Sequence, residues 1–459
     1  MPDTAQATAA GETRADALGA LARFAAETRS GEIPEATLAK TALVLADSLA
    51  AIAGGMAEPD MRALLARQAA PGPALVIGTS EARAPGIAAL LNGTAGTTLE
   101  MDEGNQFAKG HPGMHTIPAA LAVADPDIPG RDLLSAIALG YDIGARVGRA
   151  TALRPTMHPH GTWGTLCAAT AVARLADADA GGMRHAMSLA ASLSLATSRR
   201  TMLDGGTVRN AFTGVAGQMG VLAGDLIATG FTGDRDGVAE VFGRVVSDSL
   251  DTAAMTTALG ARWEVDRNYF KMHSCCRFNH AALDALALLT EAGQIRPEEV
   301  EAATVETYSL AAELADPAPA NVLAAKFSVP FAVATALFTG ETGVNSFTAD
   351  KVADPGIRAL AARVCVVEDP AMTARLPDQR PARVTIRLRD GTIQSAATET
   401  NRGDWADPYT ADEIHAKFRT LTARVWPEAA ASEIWALCRA LPHAPSARPL
   451  FTALARAAT

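Results

Sequence analysis

Apolar runs rich in alanine and glycine recur along the chain, and they constrain its fold more than any other feature. The clearest runs are residues 34–53, 82–98, 166–176 and 211–229. Alanine has the highest helix propensity, and its small side chain lets helices pack closely. Only 5% of the residues are aromatic, whereas β-sandwiches draw on aromatic and β-branched side chains. The sequence therefore predicts a mainly α protein built from closely packed helices.

A different pattern begins after Pro297, where apolar and polar residues alternate as they do in half-buried strands. The alternating segments are 300–310, 363–367 and 382–388. Asp390-Gly391, just after the last of them, is a strong hairpin signal. We therefore predict a large, discontinuous all-helical domain formed by residues 1–266 and 405–459. An α+β domain of residues 267–404 is predicted to be inserted in it and to close on it as a lid.

Charge and composition argue against several classes of function. The 459-residue chain has a net charge of −10 and no basic block, so nucleic acid and anionic membranes are not expected partners. No uncharged apolar run reaches about 18 residues, so no membrane-spanning helix is expected. The five cysteines form no C-x-x-C pair, and residues 1–15 read as a frayed polar tail without a signal peptide. A cytoplasmic location is the resulting expectation.

Polar residues suited to catalysis cluster at 100–111, between two apolar runs. The cluster includes Glu100, Asp102, Asn105 and His111. Loops held between buried elements commonly carry binding groups, although a solvated, capped interhelical loop is the alternative. A metal hydrolase is disfavoured, because Pro112 and Gly113 interrupt the spacing from His111 to His115 that a helical zinc pair requires.

Two further stretches place polar side chains at predicted helix starts. His158 to Thr162 precedes the helix at 166–176, where hydroxyls and free backbone N–H groups suit a carboxylate. The alternative for its two histidines is a helix cap and a solvated neighbour. Arg209 stands in the first turn of the next glycine-spaced helix, where the helix dipole disfavours a cation. Either an anionic ligand or an ordinary surface position would explain Arg209.

The second densest polar cluster spans residues 269–280 and again precedes an apolar helix. Its charged or titratable members are Lys271, His273, Arg277 and His280. Such groups are hard to bury without partners. Cys275 and Cys276 cannot readily bridge each other across one peptide bond, so we expect them to be small buried residues.

Taken together, these stretches resemble the MmgE/PrpD family, which includes 2-methylcitrate dehydratase, cis-aconitate decarboxylase and iminodisuccinate epimerase. The matching landmarks are Leu45–Ala50, Leu91–Ala95, Leu99–Asp102, His111-Pro112, His158–Thr165, Gly230–Gly233, Lys271–His280 with Asp284, and Lys326–Pro330. Their order and spacing agree over most of the chain. The resemblance implies a large helical domain, a smaller α+β lid domain, a homodimer and no cofactor.

Several positions depart from the family pattern. The acidic residue of the family's Leu-Asp-Phe-Asp motif falls on Glu100, which is one methylene longer. A lysine carried by many members falls on Arg209, and a tyrosine before the family's cysteine falls on His273. A threonine after the acidic motif has become Gly104 or Asn105. Because the departures affect acid/base positions, the resemblance leaves the substrate open.

The reactions of the family share the removal or addition of a proton, or of CO₂, at a carbon next to a carboxylate. We predict His111 and His158 as the acid/base pair, since imidazole titrates near neutrality. Glu100 is predicted to orient or relay a proton, with His273 as a third candidate. The residues predicted to bind substrate are Arg209, Lys271, Arg277, Asp102, Asn105 and Thr162.

A dehydratase-like lyase is the first functional hypothesis, acting on a small di- or tricarboxylate such as 2-methylcitrate. An epimerase is the second, because two bases on opposite faces of one carbon would suffice. A decarboxylase acting on a related polycarboxylate is a further alternative. Outside the enzymes, a carboxylate-binding protein whose acid/base set has decayed is a fourth hypothesis.

Overall fold

The computed structural model describes residues 16–293 and 295–457. Helix accounts for 58% of the structure and strand for 10%, so the mainly α class is confirmed. The expectation of a frayed tail at residues 1–15 lies outside the described residues. The α-helices are α1 Ala17–Glu27, α2 Glu35–Met56, α3 Pro59–Arg67, α4 Pro85–Thr98, α5 Pro112–Val123, α6 Gly130–Ala150, α7 Gly164–Leu175, α8 Ala180–Ser192, α9 Arg200–Leu203, α10 Ala211–Ala228, α11 Gly237–Glu240, α12 Thr252–Thr256, α13 Arg277–Ala292, α14 Ser309–Ala312, α15 Val322–Lys326, α16 Val329–Thr339, α17 Ala349–Ala353, α18 Pro355–Ala361, α19 Pro370–Thr373, α20 Ala411–Thr422, α21 Glu428–Ala440 and α22 Arg448–Arg456.

The ten strands fall into one four-stranded sheet and three two-stranded pairs. Their bounds are β1 Ala74–Leu75, β2 Ala82–Arg83, β3 Gly104–Asn105, β4 Thr151–Leu153, β5 Ser247–Leu250, β6 Asn268–Tyr269, β7 Val300–Thr307, β8 Val364–Glu368, β9 Ala382–Leu388 and β10 Ile393–Thr398. The sheet has the order β10-β9-β7-β8, in which β7 and β8 are parallel and the other pairs antiparallel. Gly391 adopts a φ of 89° between β9 and β10, as the predicted hairpin turn requires.

Small residues let α4 and α10 approach closely. A Cβ on Gly93 of α4 would lie 2.7 Å from the Cα of Gly214 in α10, so neither position has room for a side chain. The Thr213 hydroxyl donates a hydrogen bond to the Gly93 carbonyl at 2.8 Å. The glycine spacing of α10 therefore serves helix packing, as the sequence predicts.

Two helical stretches, Glu35–Met56 and Thr207–Ala228, are long and apolar enough to cross a membrane by length and composition alone. In the first, 83% of the apolar window is buried inside the protein, which is the environment of a core helix. In the second, 44% is buried.

The two largest hydrophobic cores among the described residues lie in the helical part and in the α+β part of the chain. The first contains Leu49 of α2 and Phe418 of α20, so helices from both ends of the chain pack together. The second gathers apolar residues from α13, α16 and the sheet. Domain boundaries at residues 267 and 404, and closure of the α+β part as a lid, remain predictions.

Candidate active site

The loop from Glu100 to His111 connects α4 to α5 and lies beside the 269–280 stretch. A short antiparallel ladder joins them, with Gly104 opposite Tyr269. A Cβ on Gly104 would clash with the Tyr269 hydroxyl, so this position requires glycine. Glu100 itself adopts a φ of 55°, a left-handed conformation that is uncommon outside glycine and that concentrates at functional sites. The two polar clusters, both of which contain predicted site residues, therefore lie side by side.

A buried chain of charges runs through this loop. The guanidinium of Arg209 contacts Glu100, and the Lys271 ammonium lies 3.1 Å from Glu100 Oε2. The same ammonium lies 3.6 Å from Asp102 Oδ1. Burial works to raise the pKa values of Glu100 and Asp102, but the neighbouring cations outweigh it and hold both below their usual range. Both carboxylates are therefore ionised at neutral pH.

One ring nitrogen of His111 makes a hydrogen bond to the backbone, and the other has no partner among the described residues. Its Nδ1 lies 2.6 Å from the Glu103 carbonyl oxygen and 2.8 Å from Asp102 Oδ2. The hydrogen bond goes to the carbonyl, because the Asp102 oxygens lack hydrogen-bond geometry and act on the ring as a nearby charge. A carbonyl only accepts, so Nδ1 carries a proton. Nε2 makes no hydrogen bond within the described residues, and His111 lines a cavity beside the loop.

A cavity of about 350 Å³ lies over this loop. Six cationic side chains line it, whereas Glu100 and Glu313 are the acidic residues in its wall. The cations are Lys109, Arg154, Arg199, Arg209, Arg277 and Arg380. Apolar side chains, including Met157, Phe278 and Leu310, complete the wall. In a chain of net charge −10, this is a local excess of positive charge that suits an anionic ligand.

Three other buried histidines surround His111. His160 packs edge-on against both His111 and His158, with ring centroids 4.6 and 4.5 Å apart. Burial and the charge of Arg209 hold the pKa values of His158 and His160 well below the usual histidine range. His115 donates from Nδ1 to the His111 carbonyl and accepts at Nε2 from the Gly161 N–H. Burial lowers its pKa to about 4, which identifies a neutral structural histidine.

The structure separates the predicted site residues into three groups. Five line the cavity: Glu100, His111, His158, Arg209 and Arg277. Lys271 and Asp102 do not line the cavity, but Lys271 contacts Glu100 and Asp102 contacts His111. Arg277 is already engaged, since it contacts Asp404 and donates to the Phe270 carbonyl at 3.3 Å.

Three predicted residues make structural hydrogen bonds and do not line the cavity. The Asn105 amide donates to the Glu264 carbonyl and accepts from the Phe107 and Ala108 N–H groups. The Thr162 hydroxyl donates to the Pro159 carbonyl at 2.5 Å. The His273 ring contacts Thr342 Oγ1 at 2.5 Å and Asp284 Oδ1 at 3.1 Å.

Sequence reasoning missed most of the other residues that line the cavity, among them His160, Tyr269, Cys276 and Arg380. His160, Tyr269 and Cys276 fall inside polar clusters of the sequence, but the sequence does not show that they are buried at the cavity wall. Arg380 has no local signal, because it follows a proline-containing stretch far from either cluster. Within residues 16–293 and 295–457, no group of three or more His, Cys, Asp and Glu side chains is arranged to hold a metal ion.

The chain is similar to proteins of one known family. The chain matches the family model of the MmgE/PrpD N-terminal domain over residues 19–254 and that of the C-terminal domain over residues 273–442. It is 23% identical to a cis-aconitate decarboxylase of Aspergillus terreus over 415 residues, or 84% of each chain. It is 24% identical to the cis-aconitate decarboxylase of Mus musculus over 369 residues, covering 74% of this chain and 72% of the mouse protein.

Proposed function

Because the chain belongs to the MmgE/PrpD family, we propose that it is a cofactor-independent lyase that transfers a proton at a carbon next to a carboxylate. The substrate class is a small di- or tricarboxylate. The observation that carries the proposal is His111, with a free Nε2, in a cavity lined by six cationic side chains.

The cavity supplies the two functions that this chemistry needs. Cations hold the carboxylates and stabilise the negative charge that develops on the reacting carbon. An imidazole within reach of that carbon donates or removes the proton. The Glu103 carbonyl accepts the Nδ1–H hydrogen bond of His111, which leaves Nε2 as the atom that gains or loses the proton. His111 is thus equipped for both directions of transfer.

Decarboxylation is the reaction that we favour within this class. In a substrate whose leaving carboxylate is on a carbon adjacent to an alkene, the bond to that carboxylate breaks and its electrons form a new C=C bond. The displaced alkene electrons take the proton from His111 Nε2, CO₂ leaves, and His111 regains a proton from water. This step needs one proton donor. The similarity to proteins named cis-aconitate decarboxylase supports it.

Dehydration of a hydroxy polycarboxylate, such as 2-methylcitrate, needs a base that removes the proton and also a donor that protonates the departing hydroxide. Burial keeps His158 and His160 neutral at physiological pH, so His111 would have to be the donor and one of these two the base. Because dehydration requires two residues where decarboxylation requires one, dehydratase activity is the less favoured form of the proposal. Neutral imidazoles do serve as bases, so His158 facing His111 across a substrate would permit an epimerase, which is the second candidate.

Proton NMR in heavy water separates these reactions. We would incubate the full chain with C4–C7 di- and tricarboxylates, including cis-aconitate and 2-methylcitrate. A decarboxylase releases CO₂ and places one deuterium in the product, whereas a dehydratase forms an alkene without CO₂. An epimerase exchanges the α-proton and forms neither. Absence of exchange, alkene and CO₂ with every member of the series would reject the proposed function.

A further inference from the structure

Arg380 reaches the cavity from the α+β part of the chain, in the segment between α19 and β9. Its Nη2 donates to the Gln106 carbonyl at 3.1 Å. In return, the Gln106 amide donates to the carbonyls of Pro377 and Asp378, each at 3.1 Å. These bonds tie the segment to the 100–111 loop and fix the guanidinium in the same wall as His111.

Arg380 differs from the other arginines of the cavity because its charge is not balanced. Each of the others has a carboxylate within 4.0 Å. The pairs are Arg209–Glu100, Arg277–Asp404, Arg199–Glu313 and Arg154–Asp248. Among the residues that the structure describes, no carboxylate lies that close to Arg380. Its side chain is only 4% exposed, and its buried Nε has no hydrogen-bond partner.

A buried guanidinium without a counter-ion is costly, and a cavity that retains one is suited to an anion that arrives with the ligand. Lys109 lines the same cavity and adopts a left-handed φ of 62°. The Lys109 side chain is exposed at the cavity wall, where desolvation lowers its pKa and the nearby charge of Arg380 lowers it further. The two cations repel each other, so an anion between them relieves that repulsion.

We propose that Arg380 and Lys109 form a carboxylate subsite distinct from the Arg209–Glu100 pair. The planar guanidinium would donate two parallel hydrogen bonds to one carboxylate of the substrate, and the ammonium would approach the same group. The inference rests on the proposed function, since it specifies where a second carboxylate of that substrate class is held. It makes Arg380 a residue that determines specificity.

Binding of unreactive ligands tests the subsite. We would titrate the full chain calorimetrically with propane-1,2,3-tricarboxylate and with two dicarboxylates that each lack one of its carboxylates. Glutarate lacks the central carboxylate, and methylsuccinate lacks a terminal one. Arg380→Gln should weaken tricarboxylate binding by about 10–100-fold, as expected for the loss of a charged hydrogen bond. At least one of the two dicarboxylates, lacking the carboxylate that Arg380 holds, should bind wild type and variant alike. Arg380→Lys should recover part of the loss.

Arg383→Gln is the matched control, because Arg383 lies three residues along in β9 and pairs with Glu306 on the surface. It should bind all three ligands as the wild type does. Equal losses for all three ligands in Arg380→Gln, or no loss for any, would overturn the subsite. A drop in melting temperature of Arg380→Gln that Arg380→Lys does not share would assign the loss to folding and also overturn it.

The two proposals fail separately. Arg380-dependent binding by a wild-type protein that turns over no polycarboxylate would reject the proposed function and keep the subsite. Turnover that is insensitive to Arg380→Gln would reject the subsite and keep the function. A wild-type protein that binds none of the three ligands would reject both.

Discussion

The His111 imidazole combines a fixed Nδ1 with an Nε2 that makes no hydrogen bond to any residue that the structure describes. Burial alone does not produce that combination. His115 is just as buried, yet both of its nitrogens are occupied by backbone groups. A histidine of this site can therefore transfer a proton to a ligand only if one of its ring nitrogens is left without a hydrogen-bond partner.

The first prediction concerns His111→Ala. Loss of the proton-transfer group should lower kcat by about 10²–10⁴-fold with little change in substrate affinity or stability. Steady-state kinetics on the best substrate of the screen measures this. His185→Ala is the control, since His185 is exposed on α8. Turnover of His111→Ala at the parental rate would remove His111 from the mechanism.

The second prediction concerns Glu103, which accepts hydrogen bonds from the Gly113 N–H and the Tyr141 hydroxyl. Burial raises its pKa from 4.5 to about 8. Between these values the folded state holds more protons than the unfolded state, so this group lowers stability as pH rises. Relative to Glu103→Gln, the wild-type free energy of unfolding should therefore fall between about pH 5 and pH 8.

Urea unfolding at several pH values measures that difference. Buried neutral histidines such as His115 act in the opposite sense and destabilise the fold as pH falls below 6.5, but they are common to both proteins. Subtracting the two stability curves isolates Glu103. A difference that is constant from pH 5 to pH 8 would show that Glu103 does not titrate in that range.

At the scale of the elements, the last helices of the chain support the active-site loop. Lys417 of α20 lies 2.6 Å from Asp47 Oδ1 of α2 and 2.6 Å from the Met101 carbonyl. All three residues are buried. Burial raises the pKa of Asp47 even with Lys417 adjacent, and the Lys417 ammonium acts against burial by favouring the ionised carboxylate. Met101 lies between Glu100 and Asp102, which links α20 to the charge network.

The third prediction follows from this contact. Lys417→Met leaves Asp47 buried and unpaired, and should lower the free energy of unfolding by about 3–5 kcal/mol. The double variant Asp47→Asn/Lys417→Met should recover much of that stability. It still lacks the bond to Met101, so its kcat should stay below that of the wild type. Full recovery of kcat in the double variant would show that the loop does not need Lys417.

At the scale of the whole molecule, α10 presents a half-exposed apolar stripe. Val215, Met219 and Leu226 are partly exposed and Leu222 is 37% exposed, at spacings that place them on one helix face. Such a face is typical of an obligate interface. We therefore expect a homodimer formed through the helical part of the chain, with about 2,000 Å² or more buried.

Light scattering tests this fourth prediction. The wild type should have the mass of a dimer at micromolar concentration, and Leu222→Asp should dissociate it. Leu288→Asp is the control, because Leu288 is also exposed but lies on α13 in the α+β part. A monomeric wild type would contradict the prediction.

Local patterns in the sequence determined the elements and the place of the site. Alanine-rich runs became helices, alternation after Pro297 became the sheet, and Asp390-Gly391 became its hairpin. The polar clusters at 100–111 and 269–280 were recognisable because charged groups between apolar runs need partners. In the structure the two clusters lie together where Gly104 pairs with Tyr269, and each supplies partners to the other.

Only the tertiary structure decided which of those polar groups face the cavity. The Asn105 amide donates its hydrogen bond to the Glu264 carbonyl, 159 residues away, and the His273 ring contacts the Thr342 hydroxyl, 69 residues away. Arg380 joins the site from 274 residues beyond Gln106. A polar side chain is free or occupied according to neighbours brought by the fold, and spacing along the chain does not record those neighbours.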